Sequence, residues 1–160
     1  MVFFHTMNSP LGKLYLVADD ASLTMLSFSA PNFKKIDQCQ AESPVLRFAK
    51  RELVAYFKGE LHRFETPVHP AGTAFQKQVW NALLKIPYGE IQSYGELAKE
   101  IGKPGAARAV GGANNKNPIA IMIPCHRVIG QNGSLMGYAG GLKKKEFLLE
   151  LERCNRIFRQ

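Results

Sequence analysis

A short proline-rich segment, residues 66–72 (TPVHPAG), places the strongest constraint on how this 160-residue chain folds. Its two prolines lack the amide hydrogen that a helix or strand interior needs, and the glycine favours a turn. The charge changes at the same point. Residues 1–69 have eight Lys/Arg against seven Asp/Glu, a net +1, whereas residues 70–160 have thirteen against six, a net +7. We therefore predict an N-terminal domain over 1–69 and a C-terminal domain over 70–160.

The composition excludes several classes of protein. Hydrophobic residues make up 46% of the chain and charged residues 21%, which supplies a folded core and argues against disorder. No apolar run approaches the roughly 18 residues of a membrane span, and the chain start lacks the pattern of a secretory signal. Three cysteines without a Cys-x-x-Cys spacing favour free thiols over disulfides or zinc. We expect a cytoplasmic protein with no bound metal and no membrane partner.

The basic C-terminal half indicates the kind of partner that such a chain binds. A charge excess of this size is typical of proteins that bind polyanions, most often nucleic acid. Positive charge also serves solubility alone, so the charge by itself leaves both interpretations open.

The N-terminal half has the pattern of a small sheet with one helix. Turn residues separate apolar runs over 14–18 and 23–28, which we predict to be strands. Ser43 followed by Pro44 begins a helix that Gly59 ends. The apolar face of this helix is predicted to carry Val45, Leu46, Ala49, Leu53, Val54 and Phe57. No reactive constellation stands out here, so we predict a supporting α/β layer.

The C-terminal half has a helical pattern. Two capping boxes, Thr73-x-x-Gln76 and Ser93-x-x-Glu96, each begin a helix, and Trp80 falls on the core stripe of the first helix. The second helix stops at a Gly-Lys-Pro-Gly turn, and a third runs over residues 106–114. Two helices joined by a short glycine-containing turn are the helix-turn-helix pattern of many DNA-binding domains.

The third helix is unusually thin. Arg108 is its only long side chain, and two glycines in its interior each destabilise a helix by roughly 1 kcal/mol. Such a helix suits either close packing on a neighbouring helix or close approach to a ligand backbone in a narrow groove. The pattern alone favours packing on a neighbouring helix.

Residues 117–130 (NPIAIMIPCHRVIG) are the segment that can carry chemistry. An apolar run bounded by two prolines leads directly to Cys125, which is followed by His126 and Arg127. Nearby positive charge lowers the pKa of a thiol and so favours the reactive thiolate. Adjacency in sequence does not bring side chains together, so the same pattern fits a buried thiol beside an unrelated histidine.

Three other features have weaker interpretations. Cys39 and Cys154 are predicted to be free thiols without a role, and the lysine run at 143–145 is predicted to be a solvated face. Glu152 on the last helix can support a histidine, as carboxylates commonly do, or pair with an arginine.

Residues 123–128 (IPCHRV) resemble the signature of the methylated-DNA–protein-cysteine methyltransferases, the repair alkyltransferases that act on O6-alkylguanine. Further matches follow in the same order between residues 73 and 153, and many colinear matches make chance resemblance remote. They comprise 75–84, Tyr88-Gly89, Ser93-Tyr94, 107–111, Asn117-Pro118, Tyr138, 140–142 and Glu152. The N-terminal half resembles the family's variable N-terminal domain only loosely, through Ser-Pro-Leu-Gly at 9–12.

The resemblance implies a mixed α/β (α+β) fold, with a ribonuclease-H-like N-terminal domain and a helical, winged-helix-like C-terminal domain that contains the helix-turn-helix. It implies direct-reversal repair of double-stranded DNA. O6-alkylguanine, and O4-alkylthymine, would be flipped out of the duplex and its alkyl group transferred to Cys125. A thioether, unlike a thioester, has no carbonyl for water to attack, so we expect one transfer per molecule. We expect a monomer without a metal or an organic cofactor.

The resemblance also implies roles for individual catalytic residues. Cys125 accepts the alkyl group, His126 activates it through a water, and Glu152 supports the histidine. Asn117 braces the turn that leads to the cysteine, and Tyr94 is the candidate proton donor to the base.

DNA contacts are implied for the thin helix, which would lie in the minor groove, and for its neighbours. Arg108 would fill the gap that the flipped nucleotide leaves. The residues expected to contact DNA are Tyr94, Ala106, Ala107, Arg108, Gly111, Asn114 and Arg127.

The base pocket is expected to comprise Val128, Tyr138, Ala139 and Gly140. Two positions depart from some relatives, since Ala139 stands where they carry serine and Ala120 where they carry proline. We therefore expect a range of alkyl substrates that differs from those relatives.

Three further classes of protein remain as alternatives. A non-catalytic lesion-binding protein of the alkyltransferase-like kind would lack the cysteine, so Cys125 argues against it. A non-catalytic winged-helix DNA-binding protein would bind DNA without consuming a thiol. A cysteine hydrolase would use Cys125 and His126 as a dyad and would turn over without DNA. Transfer of an alkyl group from duplex DNA to Cys125 distinguishes repair from all three.

Overall fold

A computed structural model describes residues 1–32, 43–135, 137–138 and 140–156. The chain forms two compact units, Met1–Ala71 and Gly72–Gln160. The first contains a sheet and a helix and the second is mainly helical, so the predicted mixed fold class is confirmed. Cys39 lies outside the described residues.

The N-terminal unit contains a three-stranded antiparallel sheet in the order β1-β2-β3. The strands are β1 (Phe3–Ser9), β2 (Gly12–Ala18) and β3 (Leu23–Ser27). The sequence interpretation missed β1, because this edge strand has no fully buried residue and therefore a weak alternating pattern. The centre of the core is provided by β2, where Leu14, Leu16 and Ala18 are completely buried.

One helix, α1 (Pro44–Phe57), packs on this sheet and begins as predicted. The Ser43 hydroxyl accepts a hydrogen bond from the Leu46 amide at 3.0 Å, which caps the helix. The predicted apolar face is wrong at Val54, which is 46% exposed. The buried face passes instead through Glu52, whose carboxylate accepts hydrogen bonds from two main-chain amides of the segment before residue 67.

In the described part of the C-terminal unit there are four α-helices. They are α2 (Ala74–Leu83), α3 (Tyr94–Glu100), α4 (Ala107–Asn115) and α5 (Leu142–Arg156). Both predicted capping boxes are confirmed, at Thr73 for α2 and at Ser93 for α3. Trp80 is 2% exposed and its indole nitrogen donates to the Ala113 carbonyl at 2.9 Å, so its predicted core role is confirmed. This bond joins α2 to α4.

A two-residue parallel pairing positions the reactive segment. Strand β4 (Gln92–Ser93) pairs with β5 (Val128–Ile129), and a 3-10 helix, Cys125–Arg127, immediately precedes β5. The start of α3 and the cysteine motif are thereby joined, although they are about thirty residues apart in sequence. Within the described ranges, no helix combines the length and the apolar character that crossing a membrane requires.

Candidate active site

The chain approaches Cys125 through a tight turn that Asn117 holds. The Asn117 amide nitrogen donates to the main-chain carbonyls of Ile119 and Ile123, at 3.3 and 2.8 Å, and its oxygen accepts from the Ile119 amide at 3.0 Å. Within this turn Ile121 adopts a φ of 71°, a strained conformation for a β-branched residue. Asn117 therefore offsets the strain of a backbone that brings Cys125 to its position.

A buried carboxylate accepts hydrogen bonds from the polar groups around the cysteine motif. Glu152 accepts hydrogen bonds from His126 Nε2 at 2.7 Å and from Arg127 Nε and Nη2 at 2.8 and 3.1 Å. It also accepts from the Gly89 amide at 3.3 Å. The structure thus brings Glu152 to His126, the pairing that the sequence left open.

The protonation states of this cluster follow from burial and charge. Burial alone would raise the pKa of Glu152, but the hydrogen bonds from His126 and Arg127 and the positive charge of Arg127 hold the pKa of this carboxyl far below its usual range, so it is ionised. Burial lowers the pKa of His126 below its usual 6.5. A neutral His126 that faces a carboxylate through Nε2 carries its proton there, which leaves Nδ1 as a basic nitrogen. In the part of the chain that the structure describes, Nδ1 has no hydrogen-bond partner.

Arg127 also lies inside this cluster. Its side chain is 6% exposed, and besides Glu152 it binds the Ile86 carbonyl through Nη1 at 2.6 Å. The guanidinium is thus directed to Glu152 and Ile86 rather than to the surface. A contact of Arg127 with DNA stays a prediction.

The electrostatics of Cys125 differ from the expectation. The side chain is 5% exposed, and burial raises the pKa of its thiol to about 11. Hydrogen bonding by Asn117 and the positive charge of Lys145 lower this pKa only in part. The expectation that adjacent cations favour the thiolate is wrong, because Arg127 is committed to Glu152 and His126 is neutral. A resting Cys125 therefore keeps its proton until a base removes it.

Lys145 is a site residue that the sequence analysis missed. It is completely buried, and its ammonium donates to the Val128 carbonyl at 2.6 Å. The prediction that the lysine run is solvated is therefore wrong for Lys145. Burial lowers the pKa of Lys145, and ionisation of Cys125 to the thiolate raises it. Helical spacing contains a signal, since Lys145, Leu148 and Glu152 fall on one face of α5.

Tyr94 and Asn114 lie on the other side of Cys125. Burial and the charge of Cys125 raise the pKa of the Tyr94 phenol, and a hydrogen bond with Asn114 lowers it. Asn114 is 2% exposed, and its Nδ2 donates to the Cys125 carbonyl at 3.2 Å. Its amide faces the interior of the site, and a contact of Asn114 with DNA stays a prediction.

The outer face of α4 carries the remaining residues of the predicted DNA surface. A surface cavity of about 470 Å³ is lined by Tyr94, Ala107, Arg108 and Gly111, among others. Arg108 is exposed, and Ala106 is half-buried. The small residues of α4 thus border an open cavity rather than only a packed helix.

The predicted base pocket is partly described. Val128 is completely buried, Tyr138 is 9% exposed and Gly140 is half-buried, while Ala139 lies outside the described residues. Burial and the charge of Cys125 raise the pKa of Tyr138 well above its usual value, which places its ring near the sulfur. Cys154, by contrast, is exposed on α5 beside Glu150. Among the described side chains, no three potential metal ligands cluster together.

Family models match both units of the chain. Residues 74–154 match the DNA-binding domain of 6-O-methylguanine DNA methyltransferase, and residues 2–70 match its ribonuclease-like domain. The methylated-DNA–protein-cysteine methyltransferase of Methanosarcina acetivorans is 53% identical over 154 residues, which cover 94% of this chain and 98% of that protein. The chain belongs to this family.

Crystal structures of family members have the same fold. The O6-methylguanine methyltransferase of Mycobacterium tuberculosis superimposes with a TM-score of 0.88 at 48% identity, over 97% of this chain and 94% of that chain. A structure of the M. tuberculosis protein in complex with DNA gives a TM-score of 0.88 at 47% identity, over 96% of this chain and 94% of that chain. The predicted resemblance to the methylated-DNA–protein-cysteine methyltransferases is confirmed.

The raised thiol pKa predicts how this methyltransferase reacts with a small alkylating agent. Because the thiolate fraction rises tenfold per pH unit below a pKa of about 11, iodoacetamide should modify Cys125 with a rate that climbs steadily between pH 7 and 10. Peptide mass mapping separates this product from that of the exposed Cys154. A rate that levels off near pH 7 would show that the resting thiol is already ionised.

Proposed function

We propose that this protein repairs DNA by direct reversal and transfers the alkyl group of O6-alkylguanine in a duplex to Cys125 Sγ. The observation that carries the assignment of Cys125 is the buried chain of contacts around it. Glu152 fixes His126, and Asn117, Lys145 and Asn114 surround the sulfur and its main chain. Cys154 has no comparable surroundings, because it is exposed beside a surface ion pair.

The alkylated base has to leave the helix before it can meet this sulfur. Cys125 lies almost completely inside the protein, and extrusion of a base from the stack costs a few kcal/mol, which protein contacts must supply. The small residues Ala107 and Gly111 allow a close approach of α4 to the minor groove. Arg108, exposed at the rim of the surface cavity, fills the space that the base vacates.

Proton transfer then enables the displacement. Nδ1 of His126 takes the thiol proton through an intervening water, and the sulfur attacks the alkyl carbon as the bond from that carbon to guanine O6 breaks. The electrons of the broken bond pass into the guanine ring, which receives a proton from Tyr94. The ionised Glu152 stabilises the protonated His126. His126 then releases the proton that it took from the thiol, and Tyr94 regains a proton through solvent, which leaves guanine and an S-alkylcysteine.

The base is held by main-chain and aromatic groups. We assign the Val128 carbonyl and the main chain at Gly140 to the edges of the base, and the Tyr138 ring to one of its faces. Lys145 holds the Val128 carbonyl in place through their 2.6 Å hydrogen bond. Ala139 completes the predicted pocket without the side-chain hydroxyl that a serine would provide.

The product explains why each molecule acts once. A thioether is stable to water, so Cys125 is not regenerated. The protein is expected to act as a monomer in the cytoplasm, and to accept O4-alkylthymine as a second substrate through the same pocket.

The decisive experiment is a titration of the intact protein with duplex DNA that carries one O6-methylguanine. Intact mass should increase by one methyl group, reach one equivalent per chain and stop, and peptide mapping should place the methyl group on Cys125. Unmodified duplex should add nothing. Continued product formation beyond one equivalent would indicate a hydrolase, and tight binding without any mass change would indicate a non-catalytic DNA-binding protein.

Replacement of Arg108 by Ala tests the proposed duplex contact. The substitution should slow transfer from duplex by about a hundredfold, because the vacated space is no longer filled, if the side chain offsets a few kcal/mol of unstacking. Transfer from the free base O6-benzylguanine needs no extrusion and should change less than threefold. Lys58→Ala, an exposed lysine of the N-terminal unit, serves as the control for lost charge. Equal losses on duplex and free base would contradict the role of Arg108.

A further inference from the structure

Asn114 has a position that surface contact with DNA does not explain. It lies near the end of α4, is 2% exposed, and donates from Nδ2 to the Cys125 carbonyl at 3.2 Å. A buried amide placed on the main chain of the reactive residue has lost its access to solvent. Its function must therefore be inside the site.

The same face of α4 also meets the Tyr94 ring. A Cβ atom built on Gly111 would lie 3.8 Å from two carbons of that ring, an ordinary contact distance. Gly111 and Asn114 are three residues apart and so share a helical face. The ring of Tyr94 thus runs along this face toward Asn114, which accounts for the hydrogen bond between the two side chains.

We propose that Asn114 is a positioning residue that joins Tyr94 to the Cys125 main chain and presents the phenol as a proton donor. This inference rests on the proposed alkyl transfer. An amide nitrogen has two hydrogens, and one is directed to the Cys125 carbonyl. The second donates to the phenol oxygen, which keeps its own proton for the base.

Through Tyr94, Asn114 affects the departure of guanine and not the attack of the sulfur. A phenol oxygen that accepts a hydrogen bond holds the negative charge of phenolate more readily, and so Tyr94 becomes a stronger acid. Protonation of the guanine ring accompanies the breaking of the bond to O6. Attack of Cys125 on a reagent whose leaving group needs no proton, such as iodoacetamide, does not use this step.

A double-mutant cycle with a second alkylating agent tests the proposal. Asn114→Ala should slow transfer from O6-methylguanine duplex about tenfold in the protein with Tyr94, as expected for the loss of one hydrogen bond to a charged group. In a Tyr94→Phe background the same change should have less than a twofold effect. Neither variant should alter the rate at which iodoacetamide modifies Cys125. Asn114→Leu, which is similar in size and has no donor, should behave like the alanine variant.

The matched control is Asn155→Ala, which removes an amide hydrogen bond of the same kind, from Nδ2 to the Leu151 carbonyl at 2.7 Å, in α5. It should leave the transfer rate unchanged. If Asn114→Ala slows transfer equally with and without Tyr94, or slows iodoacetamide as well, Asn114 serves only to shape the main chain and the proposal is overturned. If the unmodified protein takes no methyl group from the duplex, the proposed function itself fails, which is a separate result.

Discussion

Cys125→Ser is expected to eliminate alkyl transfer completely while leaving the protein folded and able to bind duplex DNA that contains O6-methylguanine. Serine keeps the shape of the side chain but has a much weaker nucleophile, and its hydroxyl is far harder to ionise than a thiol. The buried surroundings, which already raise the pKa of the thiol to about 11, give a hydroxyl no further help. Intact mass after overnight incubation with excess duplex should show no added methyl group.

The matched control for this variant is Cys154→Ser. Cys154 lies on α5 and is exposed, whereas Cys125 is buried. The Cys154→Ser protein should accept one methyl group at the unmodified rate. Methylation of the Cys125→Ser protein at Cys154 would show that the acceptor has been misassigned. Loss of duplex binding together with loss of transfer would show that the serine variant is misfolded rather than chemically inactive.

Replacement of Glu152 is expected to have the second-largest effect, on both stability and rate. Glu152→Ala leaves Arg127 and His126 buried without their carboxylate, and breaking a buried ion pair in this way costs roughly 3–5 kcal/mol. Glu152→Gln preserves the shape but offers His126 Nε2 a donor as well as an acceptor. The ring can then carry its proton on Nδ1, which removes the base, and a reversed tautomer of this kind lowers rates by up to about 10⁴-fold.

The effect of Glu152→Ala on the free energy of unfolding should depend on pH. In the folded protein the pKa of Glu152 lies below its usual 4.5. The ionised carboxylate therefore stabilises the fold above pH 4.5, and this stabilisation is lost as the pH falls through the folded pKa. The difference in unfolding free energy between the unmodified protein and Glu152→Ala, measured by urea denaturation, should therefore be largest near neutral pH and shrink in acid. Glu150→Ala, an exposed residue of the same helix, should change neither stability nor rate. Unchanged transfer in Glu152→Gln would contradict the proposed role of His126 as base.

Local sequence patterns predicted the elements that depend on neighbouring residues. The Thr73 and Ser93 capping boxes are satisfied by atoms three residues away, so they could be recognised without the rest of the chain. The predicted strands over 14–18 and 23–28 correspond to β2 and β3, each of which has fully buried apolar residues, whereas the edge strand β1 has none and was missed. Val54 was assigned to the wrong face because an apolar residue on a helix border can point either way.

The candidate site was predicted where its chemistry lies in one motif and missed where distant segments meet. Cys125 and His126 were recognised from IPCHRV, but their protonation depends on burial, which a linear motif does not contain. Lys145 was interpreted as a surface charge, because a run of lysines is normally solvated. Its hydrogen bond to the Val128 carbonyl, which brings it into the interior, depends on the tertiary structure. The polar character of Asn114 and Arg127 is evident in sequence, but the direction of their side chains, toward Cys125 and Glu152, is not.

The amino-acid sequence by itself determined which groups are available: one cysteine between a proline and a histidine, a thin helix with a single arginine, and a carboxylate on the last helix. These depend on residue type and on spacing within one element. Only the tertiary structure decided how the charges are paired, with Arg127 directed to Glu152 and Lys145 to the cysteine motif. The physical reason is that desolvation and charge interactions act over a few ångströms in space, and which side chains come that close is set by packing between elements far apart in the chain.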